Sequence, residues 1–482
     1  MKKSKFAYVY GCAAISAAVV TIGVGCDKLS EEESVHPSEK VEMQVSFTPE
    51  ITRTAYEAST GEVRWVTGDK LAILYATPEG GIDRKSLGTA TATALNHGAD
   101  IKGSVYPSAL PSEADEWGIC AVSPESAYVD SGPDRMILRM PSEQIPVNGT
   151  YDPDAALLHG YTGIIEGEMD TKLKMVFTHV AAYGSLTVKQ PSEIAPRSEK
   201  MGIRVKASAP MSGEISVSKL GEMGELSETS NTVTLKTSDW SRALMFGCLP
   251  SELSDTDFAI SLIYADGVYE KVWHPQKFWF HTGSISNFGP SLDGGSIYAL
   301  EGATLWSEDF EGVTIVNDAS NISTKVNQLL GTYDVSSPDA SCHIFWDANR
   351  SGISYSGSYA IYNETNLSND ICSGNIVETR NTSSSSSEWH FAVNGIPLCN
   401  AKKVKLTFGT NAPKANIKTF FDVESQGEAQ PIAYQSEPNG QSSCTIVVPS
   451  KAKELSFKIF SDSRNLRYYD NFRLTVLESG WE

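Results

Sequence analysis

The sequence predicts an all-β protein, built as β-sandwiches in series, on three observations. Apolar and polar residues alternate with period two in one segment after another. No long stretch keeps the 3.6-residue period of a helix, and clusters of Gly, Pro, Ser, Asn and Asp part the alternating segments. Such a segment buries one face and wets the other, as a sandwich strand must. In chain order, strands are expected at Val41 to Phe47 (VEMQVSF), Lys70 to Tyr75 (KLAILY), Met136 to Met140 and Lys172 to Thr178 (KLKMVFT), then at Ser185 to Val188, Gly202 to Ala207 and Thr232 to Leu235. In the last third they are expected at Ala401 to Phe408, Ile417 to Val423, Cys444 to Val448, Glu454 to Phe460 and Phe472 to Leu477.

A chain of 482 residues is too long for one core. Two segments interrupt the alternation: KQPSEIAPRSEK at 189–200, and DGGSIYALEGA at 293–303 before a fresh start at LWSEDFEG. They divide the chain into a first sandwich over 41–189, a second over 190–291 and a third over 304–482. Residues 27–40 (DKLSEEESVHPSEK) are acidic and aperiodic, the composition of a tether. The serine run 383–387 reads as a surface loop.

A formal net charge of −20 argues against nucleic acid or an anionic lipid surface as partner and favours solubility. Beyond Cys26 the cysteines are Cys120, Cys248, Cys342, Cys372, Cys399 and Cys444, with no CxxC pair among them. That spacing suits neither a zinc site nor a thioredoxin-like motif. One or two disulfides among the last four, or buried thiols throughout, both remain open.

The N-terminus carries Lys2, Lys3 and Lys5, then an uncharged stretch over 6–25, then Cys26 followed by DKLSEEE. This pattern resembles a bacterial lipoprotein signal, although Gly23 stands where the signal usually has an aliphatic residue. The resemblance implies removal of residues 1–25, acylation of Cys26 with palmitate among the chains, and a lipid-anchored place at the outer membrane and cell surface. An uncleaved membrane helix and an ordinary secretory signal are the alternatives. No comparable apolar run follows.

From about 41 to 289 the landmarks come in a distinctive order. They are ITRTAYE (51–57), then Trp65, Gly68 and Asp69 in VRWVTGDKLAIL, the VYPSALPSEADEWGICAVSP segment, LRMPSEQ with Pro141 and Gln144, and LKMVFTHVAAYGSLTV with Phe177 and His179. Gly213, the Leu249–Pro250 pair and FWFHTGSISNF around Gly283 complete the set. Gly68 and Gly283 suit turns of positive φ, Trp65 and Phe177 suit a core, and His179 reads as a hydrogen-bonded core histidine. The ordered set resembles the fimbrillin-like family of surface lipoproteins. That resemblance implies two transthyretin-type sandwiches and partners that are other fimbrial subunits. It also implies assembly by β-strand addition after proteolytic removal of the N-terminal segment. Arg53 best matches the family's cleavage position and Lys40 follows it; a solvated strand-edge charge is the other reading of Arg53.

From Leu305 onward, LWSEDFEG, SYSGSYAIYN, EWHFAVNGIPLCNAKKVKLTF and LRYYDNFRLTVLE resemble jelly-roll modules of secreted bacterial proteins, many of which bind glycans or carry calcium. The resemblance implies a structural calcium held by Glu308, Asp309 and Asp470, with backbone carbonyls completing the shell; solvated strand ends are the alternative. Glycan recognition would use aromatic platforms, and the candidates are Trp346, Trp389 and Tyr468, with Tyr355, Tyr359 and Tyr469 beside them. Core positions are the alternative for each.

No GxSxG elbow, HExxH helix, Walker loop or dinucleotide fingerprint occurs, and the eight histidines are scattered. The expectation is a non-enzyme that requires no cofactor beyond the calcium named above. Its expected function is adhesion at the cell surface or service as a tip or accessory fimbrial subunit. The alternative is a glycan-binding outer-membrane lipoprotein of a polysaccharide-uptake system, meeting host or dietary glycans.

Overall fold

A computed structural model describes residues 42–49, 55–57, 62–95, 98–147, 150–166 and 173–310. Beyond these it describes 343–344, 353–357, 360–364, 374–379, 390–410, 416–423, 430–432, 435–436, 441–460 and 467–481. The signal, Cys26, the tether, Arg53, Lys40, Trp346 and Trp389 lie outside the described residues. Residues 41–482 form one compact unit. It is all-β, as expected from the alternation.

The first sheet closes on itself. Its strands are β1 (Met43–Pro49), β2 (Lys70–Ala76), β3 (Gly88–Leu95), β4 (Gly98–Val105), β5 (Glu116–Ser123), β6 (Leu158–Tyr161) and β7 (Leu173–His179). The hydrogen-bonded order β1-β4-β3-β2-β5-β6-β7 returns to β1, because β6 pairs with both β5 and β7 while β1 pairs with both β7 and β4. Closure leaves a barrel with no free edge along this path. Its interior is filled by Met43, Val45, Trp65, Leu71, Ile73, Tyr75, Ile101, Trp117, Met175 and Phe177 among others. Trp65 meets Phe177 edge to face, with centroids 5.2 Å apart.

Sequence and burial agree strand by strand. In β3, GTATATAL alternates strictly between buried and exposed, so one face is wet. In β2 and β5, KLAILYA and EWGICAVS are buried after their first residue on both faces. Near-continuous apolar runs of that kind need cover outside as well as in. The cover is a four-stranded sheet of Tyr128–Ser131, Arg135–Met140, Ser212–Ser218 and Met223–Ser230, whose Met136, Leu138, Ile215 and Val217 pack on Leu74, Cys120 and Val122. Strands from both sides of position 190 therefore share this sheet.

Beyond the barrel, two sheets face each other. One contains Glu143–Gln144, Thr232–Leu235, β8 (Lys200–Ala207), β9 (Ser251–Tyr264), β10 (Gly267–Phe280) and β11 (Ser296–Ala299); the other contains Ala182–Leu186, Leu244–Cys248 and Ile285–Phe288. Gln144 joins them. It is fully buried, its Oε1 accepts the Gly247 N–H at 3.0 Å, and its Nε2 donates to the Gly247 carbonyl at 2.8 Å. The side-chain amide thus takes the place of a neighbouring strand along the open edge of Leu244–Cys248.

The third sandwich starts at β12 (Thr304–Glu308), which pairs antiparallel with β13 (Arg467–Glu478). Strand Lys403–Thr410 flanks β13 on its other side, and a second sheet carries Ser354–Gly357, His390–Pro397, Glu454–Phe460, Asn416–Phe421 and Gln430–Ile432. Trp306, Phe310, Phe391, Phe408, Phe457 and Phe472 fill the space between. Its first and last described strands thus lie side by side.

Candidate functional site

The candidate site is the slot that β1 occupies. β1 runs parallel to β7, with Phe47 opposite Leu173 and Pro49 opposite Met175, and antiparallel to β4, with Met43 opposite Val105 and Val45 opposite Gly103. Met43 and Val45 are 1% and 4% exposed, whereas Glu42 and Gln44 face solvent. Their alternation makes the register unique, because a one-residue slip would put Glu42 and Gln44 inside. Burying Met43 and Val45 contributes about 3–6 kcal/mol, which an empty slot would forfeit. Gly160 on β6 keeps the wall beside β7 thin. A Cβ there would meet Met175 Sδ at 2.6 Å and Phe177 at 2.9 Å.

Below the slot a buried polar cluster fixes the end of β7. His179 Nδ1 lies 3.0 Å from the Tyr183 hydroxyl, and Tyr183 stacks on Tyr151 at 4.5 Å. Burial lowers the His179 pKa to about 4, so the ring is neutral and structural at pH 7, as expected of a core histidine. His159 on β6 is 2% exposed, its Nε2 has no hydrogen-bond partner among the described residues, and burial lowers its pKa to about 4 as well. Gly68 and Gly283 turn with φ of +103° and +69°. Burial raises the Cys120 and Cys444 thiols to about 12 and Cys248 well above its ordinary value, which suits packing and not nucleophilic chemistry. Cys444 is a free thiol, while Cys342 and Cys372 fall outside the described residues.

In the third sandwich, Glu308 and Asp470 are each 1% exposed. Glu308 ends β12 opposite Phe472, its Oε1 accepting the Phe310 N–H at 2.8 Å and its Oε2 the Tyr355 hydroxyl at 2.6 Å across the sandwich. Asp470 lies where β13 exchanges one edge partner for another: β12 pairs with 472–475 and Gly374–Thr379 pairs with 467–469. At that fork Asn471 has φ +51° and donates its N–H to Asp470 Oδ1 at 2.7 Å. Ser307, Asp309, Thr407, Gln441, Asn471 and Arg473 line a polar cavity of about 370 Å³. Two buried carboxylates at one sheet end are oxygen donors of the kind calcium takes. Among the described residues, however, no three His, Cys, Asp or Glu groups converge on one point. Tyr468 is half-buried, and Tyr469 is a core residue beside Phe408.

Sequence reasoning placed a strand at β1 and singled out Glu308 and Asp470, though not their burial. It missed Gln144's partner and the β5–β6 pairing that closes the barrel, since neither leaves a local signal.

No protein-family model and no curated protein sequence matches the chain. Solved structures do resemble it. A Bacteroides uniformis protein provisionally assigned to cell adhesion is 16% identical, covering 54% of this chain and 96% of its own, with TM-score 0.35. A Bacteroides ovatus protein with the same provisional assignment is 11% identical, covering 54% and 97%, with TM-score 0.33. A fimbrial protein of Bacteroides ovatus is 12% identical, covering 58% and 60%, with TM-score 0.25.

Proposed function

We propose that this chain is a lipid-anchored surface protein that acts in cell adhesion or as a tip or accessory fimbrial subunit, and that it assembles by strand exchange at the β1 slot. The observation that carries the proposal is the place of β1, a stave of a closed barrel set in sequence between Cys26 and Arg53. A cut after Arg53 would separate that stave, with the lipid, from the rest of the chain. The barrel would then present two open edges, β4 and β7, and the vacated sites of Met43 and Val45. A strand from another subunit closes such a slot, its main chain supplying affinity and its alternate apolar side chains the register. A cut after Lys40 would leave β1 in place and remove only the anchor. Uncut, β1 fills its own slot and the protein stays where Cys26 holds it.

Treating the folded chain with an arginine-specific protease tests the proposal. Trimming at Arg53 is expected to convert monomer into oligomers, and a trimmed product that stays monomeric overturns strand exchange. A second reading, a glycan-binding lipoprotein serving polysaccharide uptake, draws on the polar cavity beside Asn471 and Arg473. A structural calcium at Glu308 and Asp470, with Asp309 beside them, is proposed on the burial of the first two carboxylates.

A further inference from the structure

Three adjacent strands of the second sandwich place Arg204, Ser261 and Glu270 in one cross-strand row, Arg204 opposite Ser261 and Ser261 opposite Glu270. Ser261 is fully buried and donates to Glu270 Oε2 at 2.7 Å, and Arg204 Nη2 lies 3.4 Å from the same oxygen. Both charged side chains are only 13% exposed. Their cover comes from the third sandwich. Trp481, three residues beyond β13, lays its indole 4.0 Å from the Arg204 guanidinium carbon and donates Nε1–H to Glu270 Oε2 at 3.3 Å. The ring therefore meets the cation with its π face and the carboxylate with its only polar hydrogen.

The path to Trp481 is tightly set. Gly480 passes so close to Asn400 that a Cβ would lie 2.2 Å from the Asn400 carbonyl oxygen, and the Trp481 N–H is held by Ser479 Oγ at 3.1 Å. The direct link at 300–303 is also fastened on both sides. Leu300 N–H bonds the Asp266 carbonyl at 3.0 Å, and Gly302 N–H bonds that of Val476 at 2.9 Å. Asn400 Nδ2 donates to the Ile297 carbonyl at 2.7 Å. One continuous apolar core runs from Tyr264 and Tyr269 through Ala299 and Leu305 to Leu398 and Val476.

We propose that Trp481 clamps the third sandwich onto the second, so that the two turn and unfold as one body instead of pivoting about the four-residue link. Without the indole, the Arg204–Glu270 row faces water and the two sandwiches keep only the link, the apolar seam and the Asn400–Ile297 contact to fix their angle.

The test uses the full chain with spin-label side chains at exposed Met201 in the second sandwich and Val447 in the third, read as a distance distribution. A narrow single distance is expected for the native chain. Trp481→Ala is expected to broaden it at least twofold and to raise the rate of proteolysis at 300–303 about tenfold, with amide protection of β9 and Lys403–Thr410 unchanged. Trp481→Phe, which keeps the ring over Arg204 and loses the N–H donor, is expected to fall between. A Trp481→Ala distribution as narrow as the native one overturns the clamp. If Trp481→Ala does not fold, a Trp481→Phe distribution identical to native overturns it equally.

Discussion

Replacing Gln144 with Leu removes one side chain and leaves two main-chain groups stranded. Gly247 is buried, and its N–H and carbonyl are both answered by Gln144, at 3.0 and 2.8 Å. A buried polar group left unpaired costs about 1–3 kcal/mol, so the pair costs about 2–6 kcal/mol, and leucine restores only apolar contact. For a cooperative unit of about 440 residues, with about 2.1 cal/mol/K of unfolding entropy per residue, each kcal/mol moves Tm by about 1 °C, which puts the expected fall at about 2–6 °C. Gln144→Glu sharpens the test. A carboxylate still accepts the Gly247 N–H but meets the Gly247 carbonyl with no proton, so this variant is expected to be the worse of the two at pH 7. Relative to wild type at the same pH, it is expected to recover part of its loss at pH 5, where protonation returns a donor. Calorimetry and urea unfolding read both variants. A Gln144→Leu chain within about 0.5 kcal/mol of wild type would refute the claim that this amide serves as a surrogate strand.

Other outcomes follow from the same structure. His159 and His179 are lowered to about 4 against about 6.5 in the unfolded chain, so between these values the unfolded state binds more protons. Their contribution is complete above pH 6.5 and is lost as pH falls toward 4, reaching about 2 kcal/mol per histidine by pH 5. Unfolding free energies measured from pH 7 to 5 should show that slope, and His159→Leu should flatten it by about half. Cys26→Ala is expected to abolish fatty-acid labelling and release the protein from membrane fractions; unchanged labelling would remove the anchor. Calcium added after chelation is expected to raise the Tm of the full chain, with the rise lost in Asp470→Asn, and no shift would dispose of the metal.

Much of the strand content is legible because side-chain alternation is local. Glu454–Phe460 forms as expected, and β7 and Lys403–Thr410 form within two residues of their expected bounds. The β3–β4 hairpin is not legible in TATATALNHGADIKGSV, since its inward positions Ala90, Ala92 and Ala99 have weak strand propensity. The long ribbon of β9 and β10 is legible only at its FWF end, because SELSDTDF opens β9 with polar residues. Gly68 and Gly283 were legible as turns because positive φ is a property of the residue itself. Gln144 stood out as a landmark, but its partner lies 103 positions away. Barrel closure and the packing of Trp481 on Arg204 are likewise contacts between distant residues. At the β1 slot, alternation announced a strand with one buried face; its parallel neighbour β7 became visible only in the fold.

The exchangeability of β1 is tested most directly by peptide uptake into the trimmed barrel. The full chain is cleaved after Arg53 under native conditions and mixed with a labelled peptide of residues 41–53, and the complex is followed by native mass spectrometry. The expected result is loss of the native N-terminal fragment and stoichiometric uptake of the peptide, with no uptake of a peptide carrying Met43→Asp and Val45→Asp. A fragment that stays bound after cleavage, or a trimmed chain that takes up neither peptide, would contradict strand exchange at this slot.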